Sequence, residues 1–453
     1  MLSAQKIVEE PLLVSRPTDI NGSLFQDAIV QRNCSLHIHG NLRGSLTIES
    51  GASVIVEGSV DGRVVNKGGK LVINNRGIAE YARAEGPAEA EARGILKVNL
   101  NAIATNWETL ARHTEAECAA SLPADAYGLG AEPIAGTLAE VGCKTFFVSD
   151  LGEARRVRGA ASKATIYVLN GLYAGTAPAF AEINARPVIN SVIELAEWDV
   201  FAASAQWTGG YALNVDTGES RLGLSMEEAA GLAARANSSA HGIKLLMSRL
   251  DNSEKPDPVR HHRQIGLLHD LRRLYGGIPA SLADSAGIFI GPKTHFNVVR
   301  AGVALLGVNP TPGAPNPLQP AFELRARIVQ VRNMAAGETF AYDTSWAVRR
   351  PSRLALVSVG YADGYPRPAG PSDNALHAIV GGKTCRIAGR ASMDLVAIDV
   401  TDLDPAAARR GEMVTLIGEG LGVDDLAKAV KSSGGEILVN LGRRFHRIYY
   451  ASR

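Results

Sequence analysis

The sequence predicts an α/β chain: a (β/α)8 barrel of the TIM type followed by a mostly-β domain, with a short β-solenoid in front. Three observations lead there. Between residues 94 and 323, short apolar runs alternate with stretches whose apolar residues recur at helical spacing, the pattern of a parallel barrel. From 324 to 453 helical spacing gives way to short alternating runs broken by Gly, Pro and Asp. Between 35 and 76 a short motif recurs at an 18-residue offset.

Residues 1–25 read as an N-terminal tail and 26–78 as the repeat segment. Ser35-Leu36-His37-Ile38-His39-Gly40-Asn41-Leu42-Arg43-Gly44 aligns with Ser53-Val54-Ile55-Val56-Glu57-Gly58-Ser59-Val60-Asp61-Gly62, and Leu71-Val72-Ile73-Asn74 begins a third copy. Apolar residues alternate with polar ones and glycines mark corners, so three short strands per 18 residues suit one coil of a triangular solenoid. Coils stack, and their open ends can pair with other chains. The segment resembles the bactofilins, β-solenoid proteins that polymerise as bacterial scaffolds, which implies self-assembly through it. A compact β cap that does not polymerise is the plain alternative. His37 and His39 face one side of a strand, but two ligands do not close a metal site, so no metal is expected. Residues 79–93, rich in Ala and Glu and broken by Gly86-Pro87, read as a linker that is partly helical before Gly86.

The barrel (94–323) has candidate strands at Cys118–Leu122, Thr145–Val148, Thr165–Leu169, Pro187–Ile189, Tyr211–Val215, Ile243–Met247, Ala280–Ala283 and Gly302–Leu306, with helical stretches such as Pro133–Val141 and Met226–Ala236 between them. Its active site should lie where strands end and loops begin. The β domain (324–453) has strands at Arg325–Val331, Arg353–Val359, His377–Val380, Thr384–Ile387, Leu395–Asp399 and Met413–Ile417, and a helix at Val423–Ser432.

Composition narrows the function. At 453 residues, 46% of them hydrophobic, the chain has material for two or three domains. With 47 basic and 46 acidic residues there is no electrostatic reason to expect a nucleic-acid or anionic-membrane partner. The cluster Arg349, Arg350 and Arg353 has no aromatic platform beside it. Cys34, Cys118, Cys143 and Cys385 are scattered and read as thiols in a reducing compartment. Met1–Val14 lacks the layout of a signal peptide and no apolar run spans a bilayer, so a cytoplasmic location is expected, not integral to a membrane.

The stretch Ala120-Ser121-Leu122-Pro123-Ala124-Asp125-Ala126-Tyr127-Gly128-Leu129-Gly130 resembles the cofactor-anchoring motif of alanine racemases, roughly A-V-V-K-A-(D/N)-A-Y-G-x-G. That family's lysine holds pyridoxal 5'-phosphate covalently, and here the lysine position is Pro123. Further motifs follow in family order: Asp216-Thr217-Gly218-Glu219-Ser220-Arg221, Asp284-Ser285, Arg300-Ala301-Gly302-Val303, Tyr342-Asp343-Thr344-Ser345-Trp346, Gly360-Tyr361-Ala362-Asp363-Gly364 and Gly389-Arg390-Ala391-Ser392-Met393-Asp394. The resemblance covers about 360 residues, and its motifs are specific as a set although each is weak alone. It implies the barrel-plus-β-domain fold, pyridoxal 5'-phosphate as cofactor, a small amino acid as ligand, and interconversion of L- and D-alanine for peptidoglycan. Arg221 would contact the phenolic oxygen of the cofactor; otherwise it only ties a loop. Asn214 stands where many relatives have a lysine. Ser285, the amides of Gly302 and Val303, and Tyr127 would hold the phosphate. Arg300 would face the pyridine nitrogen and, staying charged, keep it neutral. Tyr342 would be the second catalytic base, working in the partner subunit of a head-to-tail homodimer. Met393 would line the substrate-carboxylate site and Tyr361 guard the entrance. Read alone, Tyr342 is an ordinary strand tyrosine and Met393 core filling.

Two departures fall in this one site. A pyrrolidine nitrogen inside a peptide bond cannot condense with an aldehyde, so Pro123 removes the anchor and one base together. Lys97 and Lys144 sit before strands, at the wrong end of the barrel to substitute. Relatives have histidine in place of Arg249, and an arginine there either brings a second fixed charge near Arg300 and favours a Tyr342 phenolate, or swings to solvent. Three functions remain open: an impaired or inactive racemase, a pseudoenzyme scaffold joined to a polymer-forming solenoid, and a ligand sensor.

Overall fold

The computed structural model describes residues 11–42, 44–57, 64–75, 78–87, 89, 91–238, 242–340, 343–367 and 376–452. They fall into two compact units, one of residues 102–321 with 434–439, the other of 1–101, 322–433 and 440–453.

The first unit is the barrel. Eight parallel strands run Glu117–Ser121, Thr145–Val148, Thr165–Val168, Arg186–Ile189, Tyr211–Asn214, Ile243–Met247, Ala280–Ser281 and Val298–Ala301. The first seven pair in succession and the eighth pairs with the first, so the sheet is nearly closed. Asn297 N–H donates to Ala280 O and Arg300 N–H to Ala283 O, both at 2.9 Å, which joins the eighth strand to the seventh. Seven of the strands send apolar residues into one inner cluster: Ala119, Phe147, Tyr167, Val188, Ala212, Leu245, Met247 and Val298. Phe147 and Tyr167 stack with ring centroids 5.1 Å apart. The interior is therefore filled, and the strand ends form its functional rim.

The eighth strand lies earlier than Gly302–Leu306. It is Val298–Ala301, and Val303–Leu306 is a 3-10 turn. Gly302, at φ −118° and ψ −110°, ends the ladder there. In the apolar run Val303–Leu306, Ala304, Leu305 and Leu306 are buried for packing, and burial without alternation does not distinguish a strand from a turn. The strand Gly94–Asn99 is not part of the barrel either. It pairs antiparallel with Phe322–Met334 and parallel with His446–Ser452, so the barrel unit starts after residue 101.

The second unit is mostly β. The strand Phe322–Met334 is its spine, antiparallel to Gly94–Asn99, Ser352–Val357 and Met413–Ile417. The helix Val423–Val430 forms in the region where one is expected; a further helix, Gly434–Asn440, which the sequence did not suggest, belongs almost entirely to the barrel unit.

At the N-terminus two parallel ladders stack strand on strand. One holds Leu12–Val14, Ala28–Val30, Leu46–Ile48 and Val64–Asn66; the other Thr18–Ile20, Ser35–Ile38, Ser53–Val56 and Lys70–Asn75. Ala28 opposes Leu46 and Leu46 opposes Val64, reproducing the 18-residue repeat in register. Val14, Val30, Leu36, Ile38, Leu42, Ile48 and Val54 share a buried core. Among the described residues each repeat shows two strands, and the parallel bridge Leu24–Leu42 marks the remaining side. Stacking begins at Leu12, so residues 12–25 are not a loose tail: a degenerate first copy packs against the second. The segment 79–93 is not a partly helical linker. Its first part is the strand Ile78–Glu85, antiparallel both to Lys70–Asn75 and to His446–Ser452. Pairing on both edges satisfies its backbone and overrides the helical preference of Ala and Glu. Among the described residues, no helix is long and apolar enough to cross a membrane.

Candidate active site

Pro123 stands two residues past the first barrel strand, half-buried at the rim. The chain then makes a left-handed turn: Ala124, Asp125, Ala126 and Tyr127 have φ of 52°, 58°, 53° and 56°. Each such L-residue costs about 1–2 kcal/mol, so the turn needs external support. Gly128 N–H donates to Ala124 O and Gly130 N–H to Asp125 O, both at 2.8 Å. Asp125 N–H donates to Glu153 Oε1 at 2.8 Å, and Ser149 N–H to Glu153 Oε2 at 2.7 Å. Glu153 is thus a buried clamp between the first two strand ends, and burial holds its carboxyl above the usual range against those amide bonds. On the other side, Gly128 lies so close to Leu438 O that a Cβ there would come within 2.9 Å.

This turn aims Tyr127 at the eighth strand's end. A Cβ on Gly302 would lie 2.6 Å from the Tyr127 hydroxyl, so only glycine lets the two meet. Val303 N–H reaches the same hydroxyl. Burial pushes the Tyr127 phenol up to about 12, which keeps it a neutral donor at neutral pH. Ser285 Oγ accepts from Gly302 N–H at 2.8 Å and from Ala304 N–H at 3.4 Å. Tyr127, Ser285, Gly302 and Val303 are therefore brought together as one cluster of hydroxyls and amides.

Arg300 is buried beside it. Its guanidinium donates to Ser281 Oγ and to Ser248 O, both at 2.6 Å, and lies 5.9 Å from the Phe147 ring centroid. Desolvation pulls it down to about 10, so it stays protonated at neutral pH. Arg221 is exposed, with Nε 3.3 Å from Glu219 Oε1. Arg249 shares that carboxylate at 3.4 Å and lies 4.0 Å from Asp284 Oδ2. Its side chain is half-exposed and lies between these two carboxylates. Asn214 donates to Asn190 Oδ1 at 2.8 Å. Gln264, a buried residue the sequence did not single out, donates to Thr217 Oγ1 at 3.1 Å and Arg249 O at 2.9 Å, and it accepts from Asp251 N–H at 3.0 Å.

Tyr342 lies outside the described residues. In the β unit, Tyr361 and Met393 are exposed on two motifs that dock on each other. Tyr361 N–H donates to Ser392 O and Ala362 N–H to Met393 O, both at 3.1 Å. Arg367 lies over the Tyr361 ring, 5.3 Å from its centroid.

Residues 98–310 match the family model described as alanine racemase, N-terminal domain, and 321–449 match alanine racemase, C-terminal domain. The chain belongs to the alanine racemase family. The alanine racemase of Methylobacterium sp. (strain 4-46) is 46% identical over 355 residues, 78% of this chain and 97% of that one. That of Methylobacterium nodulans is 47% identical over 355 residues, 78% of this chain and 95% of its own length. The crystal structure of alanine racemase from Bartonella henselae with covalently bound pyridoxal phosphate superposes with a TM-score of 0.73 at 34% identity, covering 79% of this chain and 99% of that one. Pyridoxal phosphate is the cofactor of the family. The hydroxyls and amides around Ser285 and Tyr127 suit a phosphate. The residue at the first strand end does not suit a covalent bond: Pro123 has no side-chain nitrogen to offer.

Proposed function

We propose that this chain is an alanine-racemase relative in which the pyridoxal phosphate lysine is replaced by Pro123, so that it takes the cofactor without covalent attachment and does not interconvert L- and D-alanine at racemase rates. The observation that carries the reading is Pro123 at the first strand end, directly before the turn that delivers Tyr127 to Gly302. Tyr127, Ser285 and the Gly302 and Val303 amides would hold the phosphate. Arg300, locked by Ser281 and Ser248, would fix the ring, and Arg221 and Arg249, sharing Glu219, would attract a carboxylate. Of the lysines near the rim, Lys255 follows the sixth strand but is exposed in its loop. A cytoplasmic head-to-tail homodimer completes this reading, with Tyr342 as the remaining base, and Tyr361 and Met393 on the substrate side.

The test mixes the purified full chain with pyridoxal phosphate and L-alanine. The expected result is a cofactor that dialyses away, no adduct after borohydride and no D-alanine. A borohydride-stable adduct on any side chain of the unmodified protein, Lys255 included, would overturn the proposal. Gly302→Ala is expected to weaken pyridoxal phosphate binding roughly tenfold, by displacing the Tyr127 hydroxyl and the hydrogen bond it provides. Absorbance titration against the unmodified chain checks it.

A second reading rests on the N-terminal ladders. Among the described residues, Leu12–Val14 and Thr18–Ile20 end their sheets on an open side. Such an edge favours the bactofilin-like, self-assembling β-solenoid as an addition to the dimer. Light scattering of the full chain against a variant with Pro at Asp19 or Leu13 tests it; equal particle sizes would remove the support.

A further inference from the structure

We propose that Asp19, His37 and His39 form a binding site for a divalent transition-metal ion on the outer face of the N-terminal ladder, with Glu57 holding both imidazoles from the far side. His37 and His39 are two residues apart on a strand, so both point outward while Leu36 and Ile38 fill the core. Asp19 lies directly opposite His37 in the parallel register. Glu57 N–H donates to Ile38 O at 2.8 Å, which seats Glu57 beside His39 in the next coil. The ligand atoms of Asp19, His37 and His39 all lie within 4.8 Å of one another. His39 Nε2 is 2.8 Å from Asp19 Oδ1, and His37 Nδ1 is 3.9 Å from Asp19 Oδ2. Tetrahedral zinc with bonds near 2.0–2.1 Å sets neighbouring ligands about 3.3 Å apart, inside that spread.

The other two ring nitrogens go to one carboxylate. His37 Nε2 and His39 Nδ1 each lie 3.0 Å from Glu57 Oε1. A carboxylate that accepts one ring N–H fixes the tautomer and turns the opposite lone pair outward, as metal-bound imidazoles require. Here one glutamate does so for both rings, and both lone pairs converge on Asp19. Two imidazoles and one carboxylate suit zinc, cobalt, nickel or ferrous iron rather than magnesium or calcium. Three protein ligands on an exposed face leave a position for water, so the ion would exchange. The racemase domains begin at residue 98, which puts this site outside the region the family explains. Without a metal the same four groups form a hydrogen-bonded charge cluster, and the experiment separates the two cases.

The full chain is stripped with chelator and titrated with zinc chloride by calorimetry, then with cobalt(II) by visible absorption. The expected result is a single tight equivalent of zinc and a cobalt ligand-field band, both lost in the His37→Ala, His39→Ala double variant. Glu57→Gln is expected to keep the stoichiometry and weaken affinity about 10–100-fold, the effect of losing an outer hydrogen-bond partner. Absence of zinc uptake by the unmodified chain at micromolar concentration, or an unchanged equivalent in the double variant, overturns the site. All four side chains are partly exposed, so the variants are expected to fold; Asp19→Asn, nearly isosteric, supplies the same comparison if the double variant does not.

Discussion

Pro123→Lys is expected to give a borohydride-stable pyridoxyl adduct at position 123 and to raise alanine racemisation by at least about 10²–10⁴-fold over the unmodified chain, the range that a positioned acid–base group contributes. Pro123 follows Leu122, at φ −120° and ψ 46°, and precedes the left-handed residues, but is not itself left-handed. Lysine can adopt the φ near −65° that proline requires, so the substitution asks nothing new of the backbone. The strand end that would carry the amine is fixed by Leu122 N–H donating to Phe147 O at 2.8 Å, and the turn beyond it by Glu153. The new side chain would therefore start from a rigid platform beside the Tyr127, Ser285 and Arg300 cluster. Mass spectrometry of the reduced peptide and chiral analysis of alanine check both halves. An adduct without racemisation would mean that Arg249, the other departure, blocks the chemistry, and Arg249→His in the same background would then be expected to restore it. Neither adduct nor racemisation would show that more than the anchor has been lost.

Seven of the barrel strands were legible because each is a short, largely apolar run bounded by loop residues, a signal carried within a few neighbouring positions; the eighth, interrupted by Arg300, was displaced onto the more apolar run that follows it. The phosphate-side residues were legible only as motifs; that Ser285 and Gly302 meet depends on the eighth strand closing onto the seventh. Glu153 was not legible. It sits on a helix where a glutamate normally meets solvent, and its partner Asp125 is 28 positions away. Ile78–Glu85 failed for a related reason: Ala and Glu favour helix locally, and the two strands that claim its edges include one at the far C-terminus. The metal ligands were within reach. One repeat of 18 back from His37 is Asp19 and one repeat on from His39 is Glu57, so projecting the repeat sideways would have turned two ligands into four groups.

Asp363→Ala is expected to destabilise the β unit by about 2–5 kcal/mol, because it leaves the buried Gly360 N–H without an acceptor and takes the carboxylate from two partly exposed arginines. Asp363 is fully buried at 0% exposure, whereas its neighbour Asp394 is 46% exposed. The Asp363 carboxylate accepts from Arg444 Nε at 2.7 Å and Gly360 N–H at 2.9 Å, and it faces Arg93 Nε at 3.5 Å. Its own backbone carbonyl takes Gly442 N–H at 2.8 Å. One side chain thus ties together the start of the Tyr361 motif, the segment before Gly94–Asn99 and the approach to the last strand. Asp394 touches the same arginines from the solvent side, where water can replace it, so Asp394→Asn is expected to cost under about 1 kcal/mol. At about 2–4 °C per kcal/mol, the melting temperature should fall by roughly 10 °C for the first variant and hardly move for the second. Equal shifts would mean that the motif's aspartate acts through exposed ion pairs and not through its buried contacts. If the buried role holds, Gly360-Tyr361-Ala362-Asp363-Gly364 is a structural latch that sets Tyr361 against Met393, and losing it should change ligand affinity only through the position of that tyrosine.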